Sequence, residues 1–427
     1  MILVLLILIS FLVILAVTLS ILDNYRKHIV LFFYCFIQGF YLIFAPWMNY
    51  AFDDFEAFNV KLSEFDFTLG LVALLLHLLF FYFGYLISYT INGKKVFSAI
   101  SRDSIDHKNI TMAIYIFLFL LIGINAVMGE ISLFDILAGK EDTATLGFKG
   151  GTNWISSMAD SLILLMIMTT HYRAPFIFKV IFYPLTIFLF LILGFRYRFL
   201  LIIFGFVFLF LRKNYLKVKT VFRVLTLLIF AFYTFMFFSE NRIQFYTGKY
   251  DDLKYNFTEF EYGSIHHNAL GSIVDFALQK SFREDKNRYD FGVSMFVYPL
   301  IMVAPSSFFE GGEKPYPAPQ IENIDAALEV PRSYGQACTF VGMSFNAYSW
   351  VGVILLSFIF GFQAFKLEFV NSSGLDLFYK LAVILSTFQL YTRGYLGLFL
   401  LPLSFMLLPL LIIKSKNLKF NGKATRP

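Results

Sequence analysis

The chain has 427 residues, of which 58% are hydrophobic and 15% charged, and it carries 57 phenylalanines. That balance excludes a soluble globular domain, in which about a quarter of the residues are charged. The net charge of +6 follows from loop asymmetry rather than from nucleic-acid binding, and two cysteines, Cys35 and Cys338, are too few for a disulfide framework and lack metal-ligand spacing.

The first segment, "MILVLLILISFLVILAVTLSI", has no basic residue ahead of its apolar run and no small-residue cleavage site, and Arg26 and Lys27 follow it. It reads as a retained helix. Further apolar spans lie near residues 29 to 47, 67 to 90, 110 to 128, 153 to 171, 179 to 195, 199 to 211, 220 to 239, 341 to 365, 378 to 392 and 394 to 413, which makes eleven in all. A helix needs about 20 residues to cross a hydrocarbon core about 30 Å thick. The expected fold is an all-α polytopic membrane protein: eight helices over 1–239, a large outer loop over 240–340, three helices over 341–413 and a basic tail over 414–427.

The connecting loops alternate in charge. Arg26 and Lys27 are followed by the acidic "FDDFEAF", then by "GKKVFSAISRDSIDHK", the mixed "GKEDTATLGFKGG", and Arg173 with Lys179. "RKNYLKVK", Lys366, Lys380 and the tail "KSKNLKFNGKATRP" continue the basic set. Lysine and arginine mark the cytoplasmic side, which puts the amino terminus outside and the carboxyl terminus inside.

Residues 179 to 211 could form one long helix or a tight hairpin, and one crossing would invert every later loop. The hairpin keeps the charge rule, so "LILGFRYRFLLIIF" becomes an outward turn carrying Arg196 and Arg198. Its second arm, 199 to 211, would be about 20 Å long, which recesses the arginines below the outer surface. Arg393 occupies a similar turn between the last two spans. Arginine costs about 2.5 to 3.5 kcal/mol at a helix centre. A guanidinium can snorkel to headgroup phosphates; three at two recessed turns favour a protein-lined site for an anion, whose planar forks suit bidentate phosphate contacts.

Asp160, inside its span, is expected to be a counterion for an arginine or a proton site. His77 in "LLLHLLF" reads as an interior polar group. The outer loop holds an amphipathic segment "GSIVDFALQKSF" and a run "FGVSMFVYPLIMVAP", too short to cross and therefore interfacial or re-entrant. No cytoplasmic loop is large enough for a nucleotide-binding domain, and no P-loop, GxGxxG, HExxH or GxSxG is present. The acidic "FDDFEAF" has no positioned partners, so no metal is assigned.

These features suit a donor that arrives already activated on a lipid pyrophosphate. Arginines would hold the leaving diphosphate as its charge grows, and a loop base, His266, His267 or Glu240, would deprotonate the acceptor hydroxyl. Arg242, beside Glu240 in "SENR", adds a phosphate contact.

"GFRYRFLL", "PLIMVAPSSFFEGGEKPYP", "FVGMSFNAYSWVGVILLSFIFGF" and "YTRGYLGLF", in this order, resemble the Wzy-type O-antigen polymerases, or oligosaccharide repeat unit polymerases. The likeness covers most of the hydrophobic layout. It implies a glycosyltransferase of the bacterial inner membrane, with a bundle similar to the GT-C class B fold and with no metal or soluble cofactor. It further implies transfer of a growing glycan from undecaprenyl diphosphate onto a new undecaprenyl-diphosphate-linked repeat unit. Arg196, Arg198 and Arg393 would be the diphosphate clamp, with Arg242 and Arg332 as secondary contacts, and a chain-length regulator and a flippase as partners. Two other readings stay open: an O-antigen ligase, whose His-containing motif "HHN" resembles, and a flippase or other secondary transporter with Asp160 and the arginines lining its path.

Overall fold

The computed structural model describes residues 1–23, 27–52, 56–57, 60–61, 63–92, 110–118, 158–172, 174–192, 196–213, 250–255, 291–303, 308–309, 339–369, 374–393 and 396–424, with scattered residues between 219 and 244. Among them the structure is helical apart from one short antiparallel pair, β1 (Glu56–Ala57) with β2 (Val60–Lys61). In chain order the helices are α1 (Ile2–Leu22), α2 (Ile29–Gln38), α3 (Ala45–Phe52), α4 (Glu64–Asn92), α5 (Asp160–His171), α6 (Phe176–Ile192), α7 (Arg196–Lys213), α8 (Tyr298–Val303), α9 (Phe340–Phe369), α10 (Gly374–Arg393) and α11 (Leu396–Ala424). A π-helical turn, Gly39–Phe44, joins α2 to α3.

Among the described residues four helical stretches are long and apolar enough to cross a membrane, by length and composition: Ile2–Leu22, Ile29–Ala51, Glu64–Asn92 and Phe340–Glu368. Two compact units divide the chain. The first comprises Met1–Ala99, Tyr262–Asn371 and Ser386–Leu400; the second comprises Ile100–Glu261, Ser372–Leu385 and Leu401–Pro427.

In the first unit α1 buries a single stripe, Ile2, Leu6, Ile9 and Val13, and leaves Val4, Ile7, Phe11 and Ile14 exposed. A helix with no charge on any side and only one covered stripe faces lipid elsewhere. α4 opens on a reciprocal cap: the Ser63 hydroxyl donates to Asp66 Oδ2 at 2.6 Å, and the Asp66 N–H donates to Ser63 Oγ at 3.1 Å.

α4 and α9 form the core of this unit and run parallel. Ser357 meets His77, Gly361 meets Phe81 and Phe365 meets Tyr85, each pair 280 residues apart. Their backbones touch: a Cβ on Gly84 would stand 2.1 Å from Phe358 O, and one on Gly361 would stand 1.9 Å from Phe81 O. Two facing glycines replace side-chain packing by backbone contact, the usual device where lipid gives no hydrophobic drive to pair helices. α2 lies parallel to the second half of α10, since Tyr34–Thr387 and Gln38–Tyr391 share a separation of 353 residues.

α9 reverses direction. Tyr348 (φ −145°, ψ 29°) and Ser349 (φ 57°, ψ −150°) are not helical. The Phe340 and Phe360 rings lie 5.3 Å apart, whereas 20 residues of straight helix would separate them by about 30 Å. A Cβ on Gly352 would stand 2.0 Å from Ser344 O. A short arm, 340–347, therefore folds back along a long arm, 350–369. The expected span over 341–365 therefore narrows to the long arm, 350–369; both arms are apolar, so hydropathy counts them as one. The start of the short arm lies beside His77, midway along α4, with ring centroids 5.5 Å apart. At the reversal Tyr348 Oη donates to Phe291 O at 3.0 Å, docking the π-turn Val293–Val297 that leads into α8.

The second unit is built on α5, in which Asp160 through Thr169 are all buried. α7 runs parallel to it: Asp160 meets Arg198 and Ile167 meets Gly205, with the same separation of 38 residues. A Cβ on Gly205 would stand 2.2 Å from Ile167 Cδ1, which sets how closely α7 can approach. α6 connects them, with Tyr183 at its middle against Thr169 and Thr170 at the end of α5.

Candidate functional site

The arginine stretch is the site sequence reasoning ranks first. The apolar run over 179 to 211 is two helices, α6 and α7, with three residues between them. The arginines do not form the turn itself; Arg196 and Arg198 open the first turn of α7. This helix has 18 residues, about 27 Å, and takes in the charged residues at both ends; the apolar stretch 199 to 211 within it keeps its length of about 20 Å.

Arg198 does not snorkel. Its Nε donates to Asp160 Oδ1 at 2.6 Å, with side-chain exposures of 1% and 0%. The guanidinium also lies 5.6 Å from the centroid of the Phe190 ring, near the end of α6. The local sequence explains the pairing. A cation in the first turn of α7 opposes that helix's own dipole, while a carboxylate in the first turn of α5 is favoured by its dipole. Parallel helices bring the two turns level, so each charge offsets a cost the other carries. Contact through Nε uses one of five guanidinium N–H donors and fixes the plane of the rest.

Of the other expected site residues, Arg196 and Arg393 have helical backbones, at the start of α7 and the end of α10, and their side chains lie outside the described residues. Glu240, Arg242, His266, His267 and Arg332 also lie outside the described residues. Among the described residues no group of three or more His, Cys, Asp or Glu could hold a metal ion.

Asn241, between Glu240 and Arg242, was not singled out by its sequence. It is buried, and its amide pairs with both backbone groups of Lys254: Nδ2 donates to Lys254 O at 2.7 Å and Oδ1 accepts the Lys254 N–H at 2.6 Å. Nδ2 also donates to Phe237 O at 2.9 Å. One side chain thus ties residue 241 to residue 254, and no spacing rule marks an asparagine that does so.

His77 is wholly buried in the first unit; Nδ1 lies 2.7 Å from Ser357 Oγ, and the Phe81, Phe340 and Tyr391 rings surround it. Beside it Gln38 bridges two tyrosines, donating to Tyr391 Oη at 2.7 Å and accepting from Tyr82 Oη at 2.8 Å. No family model, no curated protein and no solved structure matches the chain.

Proposed function

We propose that the chain is a membrane glycosyltransferase that polymerises lipid-linked oligosaccharide repeat units, moving a growing glycan from a polyprenyl diphosphate onto a new lipid-linked repeat at the outer face of a bacterial inner membrane. The observation that carries this reading is the buried Arg198–Asp160 pair at the adjacent starts of two parallel helices. By the charge rule those starts face outward. In this reading Arg196 and Arg393 hold the diphosphate, Arg198, buried against Asp160, positions the start of α7 for them, Arg242 and Arg332 assist, and His266, His267 or Glu240 takes the acceptor proton.

The short arm of α9, which begins midway along α4, favours a second reading, because helices broken at mid-depth also build transporter sites. Deletion in the native strain separates them through surface-glycan length. Decoration with single repeats supports polymerisation, absence of repeats supports a flippase, and polymer left on the lipid carrier supports a ligase. With the polymerase reading upheld, Arg196→Ala and Arg393→Ala abolish elongation while the protein stays inserted. Wild-type chain lengths in both variants would reject the clamp.

A further inference from the structure

The short arm of α9, residues 340–347, starts at the level of His77, midway along α4. Its first turn is only partly bonded. The Met343 N–H donates to Thr339 O at 2.9 Å, and the Gly342 N–H donates to Thr339 Oγ1 at 3.4 Å. The N–H groups of Phe340 and Val341 have no partner among the described residues, although both residues are buried. At a helix start in water the solvent takes up such donors; at mid-depth in a membrane nothing but protein or a ligand can.

Three rings meet at this point. The His77 centroid lies 5.5 Å from that of Phe340 and 5.6 Å from that of Tyr391, and the last two are 6.2 Å apart. His77 Nε2 is buried without a hydrogen-bond partner. Ser357 sets its proton. That hydroxyl lies 2.7 Å from Nδ1 and, unlike Ser344, makes no bond to the carbonyl one turn back, so its proton goes to Nδ1 and the ring's own proton sits on Nε2. Nδ1 faces the long arm, which turns Nε2, across the ring, toward Phe340 and Tyr391. Tyr391 Oη accepts from Gln38 Nε2, and Gln38 Oε1 is taken by Tyr82, so the Tyr391 hydroxyl keeps its proton to donate.

We propose that the Phe340 and Val341 N–H groups, His77 Nε2–H and the Tyr391 hydroxyl bind one compact anion, a halide or a carboxylate, at mid-depth in the first unit. Four donors call for a ligand that only accepts. A water molecule accepts two hydrogen bonds and would turn its own two protons against the remaining donors. The start of a helix carries a partial positive charge that favours an anion, and half-helix starts near a bilayer midplane hold anionic groups in this way. The surrounding rings keep the local dielectric low, which strengthens each bond to the ligand. The site shares no residue with the Arg198–Asp160 pair and does not depend on which glycan reaction the chain performs.

The test uses the full-length protein in lipid nanodiscs prepared in sodium sulfate, whose larger, doubly charged anion serves as the reference. Sodium chloride and, separately, sodium acetate are titrated in at constant ionic strength. The His77 ring nitrogens are followed by nitrogen NMR, assigned by the signals that His77→Phe removes, and stability is followed as Tm. The expected result is a ring protonated at Nε2 whose signal moves saturably with at least one salt, together with a rise in Tm. The salt that binds more tightly names the ligand class. Losing one donor to an anion weakens binding about tenfold or more, so His77→Phe and Tyr391→Phe should each lose most of that rise. A ring protonated at Nδ1, a signal that neither salt moves, or a Tm rise that persists in His77→Phe overturns the proposal. Should the variants not fold, the wild-type tautomer and its response to the two salts decide alone.

Discussion

A fully buried ion pair is held by each partner's need for the other. Removing one partner of such a pair typically costs about 3–5 kcal/mol, because it strands a buried charge, whereas replacing both by apolar side chains is often neutral. Arg198→Met and Asp160→Leu should therefore each destabilise the protein by about 3–5 kcal/mol and together by about 1 kcal/mol or less, read as denaturant-induced unfolding in detergent. The double variant also isolates chemistry from folding: in the polymerase reading it is stable and fails to elongate glycan. Ser349 makes a separate point at the same scale. Its φ of 57° with ψ of −150° suits glycine, and a serine held there carries strain of order 1–3 kcal/mol. Ser349→Gly should raise stability by about 1 kcal/mol, and β-branched Ser349→Val should lower it by about 2 kcal/mol. Asp23 gives a pH dependence. Its carboxyl sits below the usual range, first because it hydrogen-bonds His28 and then, against the opposing effect of burial, because of Tyr89 and Lys27. A lowered folded value means a contribution that is complete above about pH 4 and lost as the pH falls through that value. Asp23→Asn should flatten this acid limb in a plot of Tm against pH.

Among elements, the contacts that matter most are those made without side chains. Gly84 and Gly361 let α4 and α9 touch backbone to backbone. Replacing either with leucine forces the pair apart at the upper end of about 1–3 kcal/mol for overpacking, and doing both should cost less than the sum, since the first separation makes room for the second. A double-mutant cycle on unfolding checks this coupling; strict additivity would mean that the two glycines do not share one contact. These glycines look unremarkable in sequence, because a span reads the same whether its small residues face a helix or lipid. The same limit hides the reversal in α9, where "FNAYSWVG" carries no proline and both arms are apolar. The hairpin at residues 179 to 211 was legible for the opposite reason. Charge must land on one side of a membrane, so the basic "RKNYLKVK" constrains how many crossings precede it. Asp160 and Arg198 stood out because charge inside an apolar run is costly, and an arginine was one of the two partners expected for Asp160, although nothing in the sequence said which arginine.

For the whole molecule, loop charge and helix direction are independent observations that meet. The alternating loops require α4 and the long arm of α9 to run the same way, and likewise α5 and α7. Both pairs are parallel, as their constant residue separations demand. Direction within a pair does not say which end meets the cytosol; only the lysines and arginines do. Single cysteines settle this when placed at Ser63, ahead of α4, and at Lys366, near the end of α9, in a chain whose own cysteines are replaced. A membrane-impermeant maleimide applied to intact cells should label the first and spare the second until the membrane is opened. Labelling of Lys366→Cys in sealed cells would invert the direction of α4 and α9. A cysteine at Lys213, at the end of α7, reads the second unit by itself: its labelling in sealed cells would turn the starts of α5 and α7, with Arg198, toward the cytosol, where the diphosphate of a lipid-linked glycan already exported could not reach them.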